Sequence, residues 1–451
     1  MEKYFKFLLI LLFISVFFSD WGFFIRGNRP VLSFPEVLVI VFCCIWFLRK
    51  LLKKKLKISK ESLVFFFLIF GIIISASIGA ILNFENIDKT QHFFGILRFL
   101  FWGTFLFCFF DLVKEIYQDI NFSKKLWKYY LNFSLLIAII GIFQYIFYFV
   151  FGKHLNLNPY FQQHWGVFGG YYRATAIFQE PSFLGVVLVP SFIATLRLFL
   201  NKKKYQDLIK ILILFFGILF SLSLGSFLVL IVFGFFEACK FLYNEISIFL
   251  RKTISRKKAF LIFSLFFILL FFCLIFYYFL APRVVPRISF EINQIKNYFS
   301  SVGNIEYQSG IRRFSSYKGF LLTLQKSPIF GFGFDQKNYI GYLLGNIFET
   351  NTGSGIFGFV GTSAGIVGII LIFLIFRLAW NGGFMKRKLK LRKDLESDLL
   401  IVGKSIILAL LLEQLISYGG ILNPDFWIPL AFASLFIKTG YSQIKEMYEK
   451  S

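Results

Sequence analysis

The chain has 451 residues, 57% hydrophobic, 21% aromatic and only 16% charged, against about a quarter charged in an ordinary soluble domain. Its 49 Lys and Arg outnumber 24 Asp and Glu, for a net charge of +25. Apolar runs of about 16 or more residues recur from end to end, which excludes a soluble globule, a disulfide scaffold and a disordered tail. The positive residues stand in short clusters between those runs, so they read as membrane topology and no nucleic-acid partner is expected. Cys43, Cys44, Cys108, Cys239 and Cys273 all fall in or at the ends of apolar spans, where neither a disulfide nor a zinc site is expected.

The first apolar run, Phe5 to Phe18, follows Lys3 and Lys6 like a signal peptide, but Ser19, Asp20 and Trp21 offer no small-residue cleavage site. It is therefore expected to stay as an uncleaved first span. In chain order the spans predicted to cross about 30 Å of hydrocarbon are 4–19, 31–48, 63–82, 93–112, 129–150, 182–200, 208–222, 224–242, 259–280, 355–378, 399–418 and 425–440. The stretch from Leu208 to Leu242 must be cut at the small residues between Ser221 and Ser226 to give two crossings. Positive residues collect on cytoplasmic flanks. With both termini inside, 34 of the Lys and Arg fall on the cytoplasmic side and 13 on the outer side. The expected fold class is an all-α polytopic membrane protein of about twelve transmembrane helices forming a single transmembrane domain.

Two outer segments are longer than a turn: a loop over 152–181 and a larger one over 281–354. Loops of that length are usually functional or disordered. The second contains helix-forming pieces at Glu291 to Phe299 and Arg312 to Leu324, punctuated by Gly303, Gly310, Pro328, Gly331 and Gly333. It reads as a partly helical cap on the outer face.

The chain has no phosphate-binding glycine loop, no GxGxxG, no paired-cysteine motif and no HExxH. Chemistry on the outer side, where ATP is absent, needs a substrate that brings its own leaving group, such as a lipid-linked pyrophosphate. Arginine's planar fork suits phosphate oxygens, so the outward arginines are the residues to weigh. Arg173 lies just before the sixth span, and Arg312 and Arg313 open the amphipathic piece of the large loop. Arg98 lies one to two turns inside the fourth span, where a charge costs up to about 3 kcal/mol unless it faces protein or water. Snorkelling to nearby headgroups is the alternative for Arg98, and Glu413, near the outer end of the eleventh span, either pairs with Arg98 or caps a polar interface.

At these residues the chain resembles a family. Arg173-Ala174-Thr175-Ala176-Ile177-Phe178-Gln179-Glu180-Pro181-Ser182 is similar to the Arg, Phe, Pro stretch before a span in the O-antigen polymerases and O-antigen ligases. Ser309-Gly310-Ile311-Arg312-Arg313, Tyr317, Leu321 and Ser327-Pro328-Ile329-Phe330-Gly331-Phe332-Gly333 resemble their large-loop pattern, and Gly365-Ile366-Val367-Gly368 continues the likeness. The resemblance implies a GT-C-type glycosyltransferase of the bacterial inner membrane that needs no metal or other cofactor. Its donor glycan hangs from undecaprenyl pyrophosphate, two loop arginines hold the leaving group, and an acceptor hydroxyl attacks the anomeric carbon with inversion. By position Arg173 and Arg313 take those roles, Arg312 is the alternate, and Arg98, Tyr172, Tyr317, His164 and Glu413 are expected substrate contacts. Ligases usually carry a His-Asn pair after the large loop, whereas this chain has Thr350-Asn351, which favours a polymerase. Glu180 is the candidate general base, since desolvation near a bilayer raises a carboxylate's pKa; its alternatives are an arginine partner or a helix N-terminal charge. The expected partners are the lipid-linked oligosaccharide, the bilayer and a chain-length regulator. A rival of another class is a flippase for the same lipid-linked units, disfavoured by the absence of two similar halves.

Overall fold

The computed structural model describes residues 2–26, 29–52, 58–83, 88–116, 118–155, 157–158, 167–168, 171–249, 309–334, 355–382, 397–416 and 420–450. Helix α1 (Glu2–Ser15) runs into a 3-10 turn (Val16–Phe18), then a two-stranded hairpin of β1 (Gly22–Arg26) and β2 (Arg29–Ser33) with Gly22 opposite Ser33. Helices α2 (Phe34–Leu52), α3 (Lys60–Leu82), α4 (Lys89–Ile116) and α5 (Ile120–Phe151) follow. A two-residue ladder of β3 (Val167–Phe168) and β4 (Tyr171–Tyr172) precedes α6 (Pro181–Lys202), α7 (Tyr205–Ser221) and α8 (Leu224–Phe249). The remaining elements are α9 (Ser309–Lys326), a π-helical turn (Ile356–Gly361) continuing into α10 (Thr362–Trp380), α11 (Asp398–Ile416) and α12 (Pro424–Lys450).

The protein is a helical membrane protein. Among the described residues, six helical segments are long and apolar enough to cross a bilayer: Lys60–Leu82, Lys89–Val113, Ile120–Phe151, Pro181–Lys202, Ile356–Trp380 and Asp398–Ile416. Helices overlie eleven of the twelve predicted spans, while 259–280 lies outside the described residues, as does the helix expected at Glu291 to Phe299. The break expected between Ser221 and Ser226 is present: Leu222 takes a left-handed conformation (φ 47°) and ends α7. The start of the second predicted span differs, because residues 29–33 pair with β1 as a strand and the helix begins only at Phe34.

Tertiary contacts sort the helix ends into two sets. At one end, Lys6 binds Asp119 (2.7 Å), Arg49 binds Glu115 (2.6 Å), Lys50 binds Asp111 (2.5 Å), Lys202 binds Asp398 (2.5 Å) and Arg197 binds Glu237. The Asp119 side chain also accepts from Phe122 N–H as the N-cap of α5. Partial burial works to raise the Asp119 carboxyl, but hydrogen bonds from Lys6 and the Phe122 amide outweigh it and hold it below its usual range. The opposite end holds the hairpin, the 173–180 segment and α9. Between the ends, the core stacks aromatic rings across helices, with Phe13 4.3 Å from both Tyr130 and Phe432.

Helix α10 is broken near its start. Gly365 sits at φ 63°, ψ −157°, a conformation open essentially to glycine alone. The turn Pro328 to Gly333 fits into the break. Phe332 and Gly333 donate backbone N–H groups to the Thr362 and Ser363 carbonyls (2.9 Å each), and Ile366 and Val367 donate to the Pro328 and Ile329 carbonyls (2.9 and 3.3 Å). A Cβ on Gly365 would stand 2.3 Å from the Ile329 carbonyl oxygen, and one on Gly331 2.6 Å from that of Thr362. Gly365→Ala is therefore expected to destabilise the protein by more than the ~1–3 kcal/mol of backbone strain alone, read as a lowered melting temperature in detergent. At the basic end, Asp111 is buried and serves Lys50, Trp46 Nε1 and Ser59 N–H. Asp111→Ala should cost about 3–5 kcal/mol, because it leaves a shielded ammonium and two donors without their acceptor.

Candidate functional site

The 173–180 segment has no regular secondary structure, so its backbone must be satisfied from outside. Gln144, fully buried on α5, does most of this. Its Oε1 accepts from Thr175 and Ala176 N–H (3.2 and 2.7 Å), while its Nε2 donates to the Ala176 and Leu155 carbonyls (2.8 and 2.9 Å). Ala176 is thereby held in a left-handed conformation (φ 51°), which costs a non-glycine residue of order 1–3 kcal/mol. Trp21 Nε1 and Asn158 Nδ2 both donate to the Ile177 carbonyl (3.0 and 2.8 Å), and Gln179 N–H donates to Asp20 Oδ2 (2.9 Å). The segment is thus tied to α5, to α7 and to the turn after α1.

Arg173 is half-buried, and its Nε donates to the carbonyl of Ser221, the last residue of α7 (3.3 Å). The neighbouring Ala174 N–H donates to the Phe220 carbonyl (2.9 Å). A guanidinium at the negative pole of a helix is favourable, so Arg173 has a structural use at this position. Glu180 is the N-cap residue of α6, yet its side chain makes no capping bond and accepts instead from Ser182 Oγ (3.2 Å). Tyr172 is buried against Tyr148 (4.6 Å) and His154 (5.2 Å). Burial pushes its phenol up to about 12, and its hydroxyl has no partner among the described residues.

On the second motif, Tyr317 donates its hydroxyl to the Leu415 carbonyl near the end of α11, and its ring stays partly exposed. Arg312 and Arg313 occupy the first turn of α9, but their side chains lie outside the described residues, as does His164 altogether. Arg98 is exposed on α4. It does not pair with Glu413, which is buried on α11 with Oε1 lacking a partner among the described residues. The Arg98–Glu413 pair is therefore absent: the arginine is exposed and the acid is enclosed. Tyr317 on α9 and Gln144, Arg173 and Glu180 around the 173–180 segment all stand at the end opposite the basic one.

Sequence reasoning missed Gln144 and Asp425. Asp425 is buried at the start of α12, with Oδ1 lacking a partner among the described residues, and lies within electrostatic reach of both Glu413 and Asp20. A usable signal existed: Glu413 and Asp425 flank the short α11–α12 connection, and no Lys or Arg falls between them. Gln144 gave no signal, being one polar residue in an apolar run. No family model and no characterised protein matches the chain.

Gln144→Leu keeps the volume but strands two backbone donors and two carbonyls, at about 1–3 kcal/mol for each buried group left unsatisfied. The expected outcome is a lower melting temperature together with faster proteolytic cleavage between 152 and 180. Tyr172→Phe removes a buried hydroxyl without a described partner, so stability should be unchanged or slightly higher in the same assay.

Proposed function

We propose that this protein is an integral membrane glycosyltransferase of the O-antigen polymerase type. It crosses the bacterial inner membrane twelve times in a GT-C-type arrangement, with both termini in the cytoplasm. Its reaction moves a growing glycan from undecaprenyl pyrophosphate onto the next lipid-linked repeat unit at the periplasmic face. The acceptor hydroxyl oxygen bonds to the anomeric carbon while the bond to the pyrophosphate oxygen breaks and its electron pair stays on phosphate. Arg173 and Arg313 stabilise that developing charge, a task for which guanidinium groups need no metal.

One observation carries this reading: the two motif-bearing segments, 173–182 and 309–333, stand at the same end of the bundle, with α11 contacting both α6 and the Tyr317 hydroxyl. That end lies opposite the basic ion pairs, as an exported active surface requires under the positive-inside rule. The chain closes α8 toward the basic end, through Arg197–Glu237, and resumes with α9 at the other, in keeping with a crossing by the apolar stretch 259–280. The interlock of Pro328–Gly333 with Gly365 joins two further pieces of the motif in space.

In a deletion strain complemented with Arg173→Ala or Arg313→Ala, long polymer is expected to vanish from lipopolysaccharide gels. Arg→Lys at either position should also shorten the chains, because bidentate contact is lost. Fluorescence-detected size exclusion separates this from misfolding, which matters at Arg173 because of its bond to α7. Persistence of long chains in both alanine variants overturns the arginine clamp. The deletion strain itself decides the reaction: single-repeat lipopolysaccharide identifies a polymerase, whereas carrier-linked polymer with bare core identifies a ligase.

A further inference from the structure

Within the bundle, two carboxylates from consecutive helices are enclosed. Glu413 on α11 and Asp425 on α12 are 2% and 7% exposed, and each has one oxygen with no hydrogen-bond partner among the described residues. Their charges lie close enough to repel, Asp425 is in reach of Asp20, and the Tyr130 hydroxyl of α5 is in reach of both Glu413 and Asp425. Tyr130 in turn lies beside the Ser191 hydroxyl of α6, which bonds the Ser134 hydroxyl (2.6 Å). Acids enclosed in a membrane bundle are costly and mark proton or substrate paths.

Among the described residues the structure records no cation against them, and Lys404 of α11 lies over the Trp380 ring (5.9 Å). Arg197 of α6 is committed to Glu237 of α8 near the basic end. Lys438 stands thirteen residues after Asp425 on α12, about 20 Å along the axis at 1.5 Å per residue. Arg377 closes the far end of α10, and Arg98 of α4 is exposed. Among the described residues no three acid, His or Cys side chains are grouped to hold a metal ion. The unpartnered oxygens are shut off from solvent, which fits the smallest of cations.

We propose that Glu413 and Asp425 form a proton-binding site inside the bundle. Asp20, within electrostatic reach of Asp425, accepts from Gln179 N–H through Oδ2. The site stands on the burial of both acids and on their unpartnered oxygens. Under the transferase reading it also gives a destination for the proton that the acceptor hydroxyl releases, and that use rests on the reading.

Infrared spectroscopy of the full-length protein at neutral pH tests it, in dodecyl maltoside, a detergent without ester groups that would mask the carboxyl stretch. The wild type should show a protonated-carboxyl band that shifts in heavy water. The band should disappear in the double variant E413Q/D425N and survive in D398N, whose acid is a half-exposed ion-pair member near the basic end. A wild type without the band overturns the proposal, with no variant needed, and so does a band unchanged in the double variant. Neither readout involves glycosyl transfer, so failure here leaves the transferase reading to its own experiment.

Discussion

Backbone polar groups in a hydrocarbon setting must find partners within the protein, and this constraint organises the end of the bundle where the motifs lie. Two irregular stretches occur there, and each is satisfied by a dedicated device. The break at Gly365 is closed by the Pro328–Gly333 turn, which takes over four backbone hydrogen bonds in both directions. The 173–180 segment is held by the single amide of Gln144, which serves one residue, Ala176, on both its N–H and its carbonyl. Irregular backbone in a membrane bundle is tolerated only when buried in protein or lining a cavity, and these two devices supply its hydrogen bonds from within the protein.

Charge follows the same division. At one end cations and acids pair across helices, so that the net excess of positive residues is partly neutralised where it is densest. Inside the bundle Glu413 and Asp425 are enclosed, and among the described residues Arg197 is committed to Glu237. These two enclosed acids stand in a chain whose net charge is +25. Enclosed acids are not explained by stability, since apolar residues of similar volume would fill the same space at lower cost.

The helices were legible because apolar runs long enough to span are unambiguous, and the parity of their ends follows from where Lys and Arg cluster. Even the cut at Ser221 could be read, since two short crossings balanced the charges and one long one did not. The hairpin at 22–33 could not: it lies between two apolar runs, and Val31 and Leu32 read as naturally in a helix as in a strand. The break in α10 was hidden for the same reason, because Gly365 inside an apolar run is compatible with an intact helix. Its conformation is imposed by the docked turn, a contact between residues more than thirty positions apart in sequence. Gln144 and Asp425 escaped because single polar residues acquire meaning only from what packs around them. The arginines were legible as residue types, yet the bond from Arg173 to Ser221 depends on where α7 ends.

That bond bears on how the site is read. An arginine that only bound ligand would need its guanidinium held in place by something else, at an entropic cost for so long a side chain. Here Nε is anchored on the Ser221 carbonyl, so the plane of the guanidinium is fixed by the end of α7. The capping role and a phosphate-binding role are therefore compatible, since the first supplies the preorganisation that the second requires. The left-handed turn at Leu222 that ends α7, the amide of Gln144 and the strained Ala176 then have one shared consequence. They hold a cation at a defined position at this end of the bundle, six residues before the Gln179 amide that donates to Asp20.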